Sequence, residues 1–305
     1  MTSTLEDTPT VKPGHRSLRD KEGNASKRDR KEQFMRYLLS GLMAIASIPI
    51  VLILFQVIRM GWQVISWEFF TTREFPPARE GGGYAAGFVG TGMIMLWASA
   101  MAIPLGILAA VYQVDYGRGI TAKVIRFFTD VMTGIPSIFV GLAVYSLIIL
   151  NTGFTFGAFP AAVAISIIML PIVVRSSEEV LRTVPIELKQ GSLAMGARQW
   201  QTTVRVVLPA AAPGLTTGAM LAVARGAGET APLILTAFGN VNIVTTWFNI
   251  AIGALPLQIY NGARQPFAPG IERAWGGALC LMTLVLLLTV GARMLGRRFA
   301  KTVRA

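Results

Sequence analysis

The sequence predicts an all-α membrane protein with six transmembrane helices, and three observations predict it. Of the 305 residues, 53% are hydrophobic and 14% charged, and the mean hydropathy of +0.55 exceeds what a water-soluble domain needs for its core. The apolar residues gather into six runs, each long enough to cross a hydrocarbon layer of about 30 Å as a helix rising about 1.5 Å per residue. With the N-terminus inside, 22 of the 28 Lys and Arg residues fall on the inner side, five on the outer side and one, Arg225, within a span. That is the bias that sets orientation in a membrane.

The same composition excludes several functions. The net charge of +12 is no nucleic-acid footprint, because the basic residues are confined to tails and loops between apolar runs. Cys280 is the only cysteine and His15 the only histidine, so neither an internal disulfide, a metal site nor a nucleophile–base pair is expected. No Gly-x-x-x-x-Gly-Lys-Ser/Thr stretch occurs, so the chain carries no phosphate loop for ATP. It is not expected to be an enzyme, and ATP-driven work would fall to a partner.

Residues 1–36 are polar and rich in Lys and Arg, with Asp and Glu interspersed, the pattern of a disordered cytoplasmic tail. One membrane domain then occupies 37–296, and a basic cytoplasmic tail, 297–305, follows. The first span, 38–58, is too long for the apolar core of a signal peptide and is retained. The other spans are 87–113, 127–150, 156–174, 210–235 and 275–291. A further apolar stretch, 244–259, contains Asn249 and Pro256, and a seventh crossing there would put the basic C-terminal tail outside. It reads instead as an interfacial or re-entrant segment of the outer face, with Trp247 and Tyr260 at headgroup depth. Pro104, Pro136 and Pro171 lie within spans, where each frees a carbonyl and bends its helix.

The fifth span opens with Pro209 and Pro213, residues suited to a first helical turn whose amides lack partners, and the pattern predicts one helix to about residue 235. At 100° per residue, Gly214, Gly218, Ala222, Arg225 and Glu229 share a sector of roughly 80°. Small residues at this spacing let another helix approach closely. Arg225 would lie roughly 18 Å beyond Pro213, near mid-membrane, where a lone charge costs about 2.5–3.5 kcal/mol. Two readings stand for the pair. Arg225 and Glu229, at i and i+4, neutralise each other as a structural ion pair, or Arg225 offers its planar donor fork to an oxyanion while Glu229 holds it when the path is empty. Arg175, ending the fourth span, is either a snorkelling anchor or a second anion contact at the inner mouth of the same path.

The inner loop 176–205 interleaves Glu178, Glu179, Arg182, Glu187, Lys189, Arg198 and Arg205 with Leu188, Leu193, Met195 and Trp200. Between Pro185 and Pro209 two short amphipathic helices are predicted, about 185–205, hinged near Gly196. Exposed Leu193, Met195 and Trp200 suit a surface that docks into a groove on another protein.

Here the residues carry a resemblance. QGSLAMGA, with Gln190, Gly191, Ser192 and Gly196, is followed nine residues after that glycine by VVLP, Val206 to Pro209. This spacing resembles the EAA coupling motif of ABC importer permeases, with Gln190 where the motif has its acidic residue. The stretch ARGAGETAPLILTA, which carries Arg225, Glu229 and Thr230, is similar to phosphate ABC transporter permease subunits of the PstA type. The resemblance implies the type I importer (MetI-like) fold, a multi-pass place in the plasma (inner) membrane and cytoplasmic termini. It also implies a heterodimer with a PstC-like permease, a PstB-like ATPase homodimer and an extracytoplasmic PstS-like phosphate-binding protein. No cofactor would bind to this chain, ATP and Mg belonging to the ATPase. Carried over residue by residue, Gln190, Gly191, Ser192, Leu193, Met195, Gly196 and Trp200 would meet the ATPase. Arg225, Glu229 and Thr230, with Arg175, would lie on the substrate path. A permease for sulfate or molybdate, or an ion-gradient-driven secondary transporter, is the rival expectation.

Overall fold

A computed structural model describes residues 19–117 and 119–302; residues 1–18 of the expected tail lie outside the described residues. The chain divides into two compact units, Met1–Phe55 and Gln56–Ala305.

The first unit is most of helix α1 (Arg19–Gly61). The helix begins well before the apolar run, at residues the sequence assigns to the N-terminal tail. Lys, Arg and Glu are good helix formers, and Glu32 and Arg36 form an i, i+4 ion pair at 3.6 Å. From 30 to 55 every residue is exposed.

The second unit holds a short helix α2 (Trp67–Thr71), then α3 (Ala85–Val111), α4 (Ile120–Gly134) and α5 (Ser137–Val144). There follow α6 (Ala158–Arg182), α7 (Ile186–Ala194), α8 (Gln199–Thr202), α9 (Leu208–Ala227), α10 (Ala231–Thr236), α11 (Leu255–Ala263) and α12 (Ala268–Thr302). The last helix runs through most of the expected C-terminal tail.

Helix α6 is the central element, flanked by α3 and α9. Its Ala161, Ile165, Met169 and Val173 are fully buried against Ile94, Ala98 and Ala102 of α3 and Ala222 of α9. Close approach explains the small residues. A Cβ at Gly214 would stand 2.5 Å from Val180 Cγ1, and one at Gly218 2.5 Å from Ser176 Oγ, so the glycine flank of α9 is the seat of α6.

Two expected helices are broken. The run 127–150 forms α4 and α5, which meet at 108°. Pro136 lacks an amide and holds Ile135 extended (φ −75, ψ 127). The fifth span also stops short of 235. It ends at Ala227, and α10 restarts after Thr230 with Pro232 in its first turn, where the missing amide cannot continue the ladder of α9. Pro104 and Pro171, by contrast, remain inside α3 and α6. The segment 244–259 does not cross: irregular backbone leads into α11, whose first turn takes Pro256.

Candidate functional site

Arg225 occupies the last turn of α9, where the helix dipole favours a cation, rather than the middle of a longer helix. Glu229 follows in the break. Its Oε1 is 3.2 Å from Arg225 Nη2, and the two side chains differ sharply in exposure, 66% for Arg225 against 11% for Glu229. The carboxylate is held in the protein while most of the arginine side chain is exposed. Both line a groove of about 760 Å³ between α9, α11 and α12, with Leu221, Gly228, Ile259 and Met282. Thr230 caps α10, its carbonyl accepting from the amides of Leu233 (3.1 Å) and Ile234 (3.3 Å). Of the five residues expected on one flank, Gly214, Gly218 and Ala222 face the packed interior, whereas Arg225 opens to the groove.

Arg175 lies elsewhere. It pairs with Asp130 of α4 in a cavity of about 360 Å³ that shares no lining residue with the Arg225 groove. Glu178 in the same cavity accepts from Arg126 (3.1 Å) and Arg182 (2.7 Å). Gln113, 5% exposed, lines it with both amide atoms unpartnered.

Two short helices, α7 and α8, occupy the stretch between Pro185 and Pro209. Gly196, between α7 and α8, has φ +85, a left-handed conformation that glycine adopts without strain. Ser192 and Thr202 hydroxyls meet at 2.9 Å across the pair, and the Arg198 amide donates to Gln201 Oε1 at 2.8 Å. Leu193, Met195 and Trp200 are exposed, Met195 at 89%, and Gln190 and Gly191 are exposed beside them.

Beneath this surface lies an unforeseen anchor. Asp115, with a side chain 7% exposed, accepts from Lys189 Nζ of α7 at 2.7 Å and from Thr203 Oγ1 at 2.9 Å. Its backbone carbonyl accepts from Gln199 Nε2 of α8 at 2.6 Å. Asp115 and Thr203 each sit in a π-helical turn, Tyr112–Tyr116 and Thr203–Val207, and such widened turns recur at functional sites.

Residues 102–301 match the family model described as binding-protein-dependent transport system inner membrane component. The chain is 40% identical over 263 residues to the phosphate transport system permease protein PstA 1 of Mycobacterium tuberculosis strain H37Rv, covering 85% of each. It is 36% identical over 275 residues to the PstA protein of Yersinia pestis, covering 90% of this chain and 92% of that one. The chain belongs to the family of binding-protein-dependent transport system inner membrane components.

Two solved ABC transporters share the fold of this chain. The bacterial alginate ABC transporter matches with a TM-score of 0.60 at 14% identity, over 90% of this chain and 98% of that chain. The MetNI methionine ABC transporter matches with 0.54 at 21%, over 71% and 94%. The architecture is the MetI-like, type I ABC importer permease fold, in a multi-pass inner-membrane protein that is a transport component rather than an enzyme.

Two permease residues were invisible to sequence reasoning. Asp115 sits in a loop valued for its cations, and the positive-inside rule gives an aspartate there little weight. Its one cue was an acidic residue directly after an apolar run. Arg273 counts in the sequence as an outer topology charge, yet it is 2% exposed. It donates to the carbonyls of Arg79 (2.7 Å), Gly81 (2.9 Å), Phe75 (3.1 Å) and Pro76 (3.2 Å), tying the loop before α3 onto α12.

Proposed function

We propose that the chain is the permease subunit of an ATP-driven importer of inorganic phosphate, contributing half of the translocation path and coupled to a cytoplasmic ATPase. One observation carries the reading: an arginine side chain largely exposed at a groove, beside a carboxylate that is almost wholly shielded. A guanidinium offers bidentate hydrogen bonds that match an oxyanion, and Glu229 occupies the fork between passages. The named relatives support phosphate as the anion.

In this reading both termini are cytoplasmic, which places α7 and α8 inside. The exposed patch of Leu193, Met195 and Trp200 seats a PstB-like ATPase dimer, a PstC-like permease completes the path, and a PstS-like protein delivers phosphate from outside. ATP and Mg bind to the ATPase. Closure of the ATPases displaces α7 and α8. Helical backbone runs from Gln199 to Ala227, so movement of α8 is carried along α9 to Arg225. Lys189 and Asp115 pass the same movement to α3. Arg225 is a station of modest affinity, because tight binding would stop release. Arg175, in its own cavity, serves as a separate contact at the inner side.

The test is uptake of labelled phosphate into proteoliposomes holding the purified transporter with ATP inside. Unlabelled phosphate should compete and sulfate or molybdate should not. Competition by sulfate or molybdate as strong as by phosphate overturns the substrate, and uptake that follows an ion gradient without ATP overturns the class.

A further inference from the structure

A cavity of about 840 Å³ lies at the end of the bundle where α3 and α12 begin, lined by Arg73, Glu74, Arg79, Asn261, Arg264 and Gln265. Most of its charged wall precedes the 102–301 stretch that defines the family. None of its three arginines forms an ion pair among the described residues. Two of them lie over aromatic faces, Arg79 4.3 Å from the Phe75 ring and Arg264 5.0 Å from the Tyr260 ring. Stacking fixes the guanidinium plane and leaves N–H edges free. Arg264 also donates to the Tyr260 hydroxyl at 3.0 Å, and Arg73 to Asn242 Oδ1 at 3.3 Å.

The wall is braced: Arg273 holds four backbone carbonyls between Phe75 and Gly81, so the loop that presents Arg73 and Arg79 is fixed from behind. The one carboxylate of the cavity, Glu74, is engaged by Gln258 Nε2 at 2.9 Å and is no ion-pair partner of the arginines. Three like charges around one cavity repel unless an anion visits, and their donors suit a tetrahedral oxyanion.

We infer that this cavity is a second, outer phosphate site, which takes inorganic phosphate before it reaches the Arg225 groove. The inference rests on the proposed outward orientation and phosphate substrate. Phosphate released from the delivery protein enters a positive basin, and because the arginines are spread around its wall the anion is held loosely and passes on.

Two measurements on the complete transporter test it. In the first, phenylglyoxal modifies arginines of the intact complex, and mass spectrometry reads Arg79 and Arg264 with and without inorganic phosphate. Phosphate should protect both, and sulfate at the same concentration should protect less. Labelling that phosphate leaves unchanged overturns the site, whatever the transport result. In the second, Arg79→Gln with Arg264→Gln should lower maximal phosphate uptake about tenfold, the loss expected for charge-assisted hydrogen bonds, with the Kd of the phosphate-loaded delivery protein unchanged. The double lysine variant should recover most of the rate. A weakened Kd with normal uptake at saturating delivery protein would mean that the arginines meet partner carboxylates instead, and overturns the inference. If wild type fails to import phosphate while protection persists, the importer reading falls and the anion site stands.

Discussion

Arg225 and Arg273 are the same side chain on neighbouring helices, α9 and α12, and they have opposite roles. Arg273 is 2% exposed and spends its donors on four backbone carbonyls. Arg225 has one carboxylate partner and a side chain 66% exposed. Both terminal nitrogens of Arg273 are taken up by backbone carbonyls, and its unpartnered Nε is buried, so the side chain is part of the frame and out of a guest's reach. One that is half satisfied at the edge of a groove retains donors for a guest. Charge alone does not separate the two arginines; donors that are both unspent and exposed do.

Substituting each of the two arginines in turn separates their roles most sharply. Arg273→Ala should deplete folded transporter from the membrane, since at least three carbonyls lose a partner at about 1 kcal/mol or more each. Arg225→Ala should leave the complex assembled and reduce phosphate uptake to background. Assembled, active Arg273→Ala or unassembled Arg225→Ala would reverse the roles. Arg225→Lys, which keeps the charge and loses the fork, should retain uptake lowered about tenfold, one charge-assisted hydrogen bond being worth about 1.5 kcal/mol.

A second contrast sets the Arg225 pair against the Asp115–Lys189 pair, whose side chains are only 7% and 18% exposed. Asp115→Asn should leave phosphate-dependent labelling at the outer site intact while ATP hydrolysis loses its stimulation by the delivery protein. Exchanging the charges, Asp115→Lys with Lys189→Asp, should restore part of it. Stimulation that survives Asp115→Asn removes this residue from the coupling route. Trp200→Ala, on the exposed side of the same helices, should weaken ATPase association with a smaller effect on the fold.

The smallest expected effect concerns Glu74. Burial raises its carboxyl above the ordinary value, against the opposing Gln258 hydrogen bond and Arg273 charge. A carboxyl raised in the folded state stabilises the fold below its unfolded value, and that contribution is lost as pH rises through the folded one. Glu74→Gln should therefore melt slightly higher than wild type at about pH 8, with the difference vanishing as pH falls towards the ordinary carboxylate range. A difference that grows on acidification would contradict this origin.

The sequence by itself determined where the apolar runs lie, the glycine seat on the fifth, the two short helices either side of Gly196 and the Arg225–Glu229 pair. The bilayer's thickness and the demand that every backbone group be bonded within the span impose a local period, and these features lie within a few residues of one another. Pro136 was also visible, but whether a proline bends a helix or breaks it at 108° depends on what packs around the freed carbonyls, and Pro104 and Pro171 stayed inside theirs. Only the tertiary structure brought Lys189 to Asp115 across 74 positions and Arg273 to Arg79 across 194. It also parted Arg175 from Arg225. Hydrophobic periodicity says which face is buried, whereas a charge's role is set by the partners that distant segments bring to it.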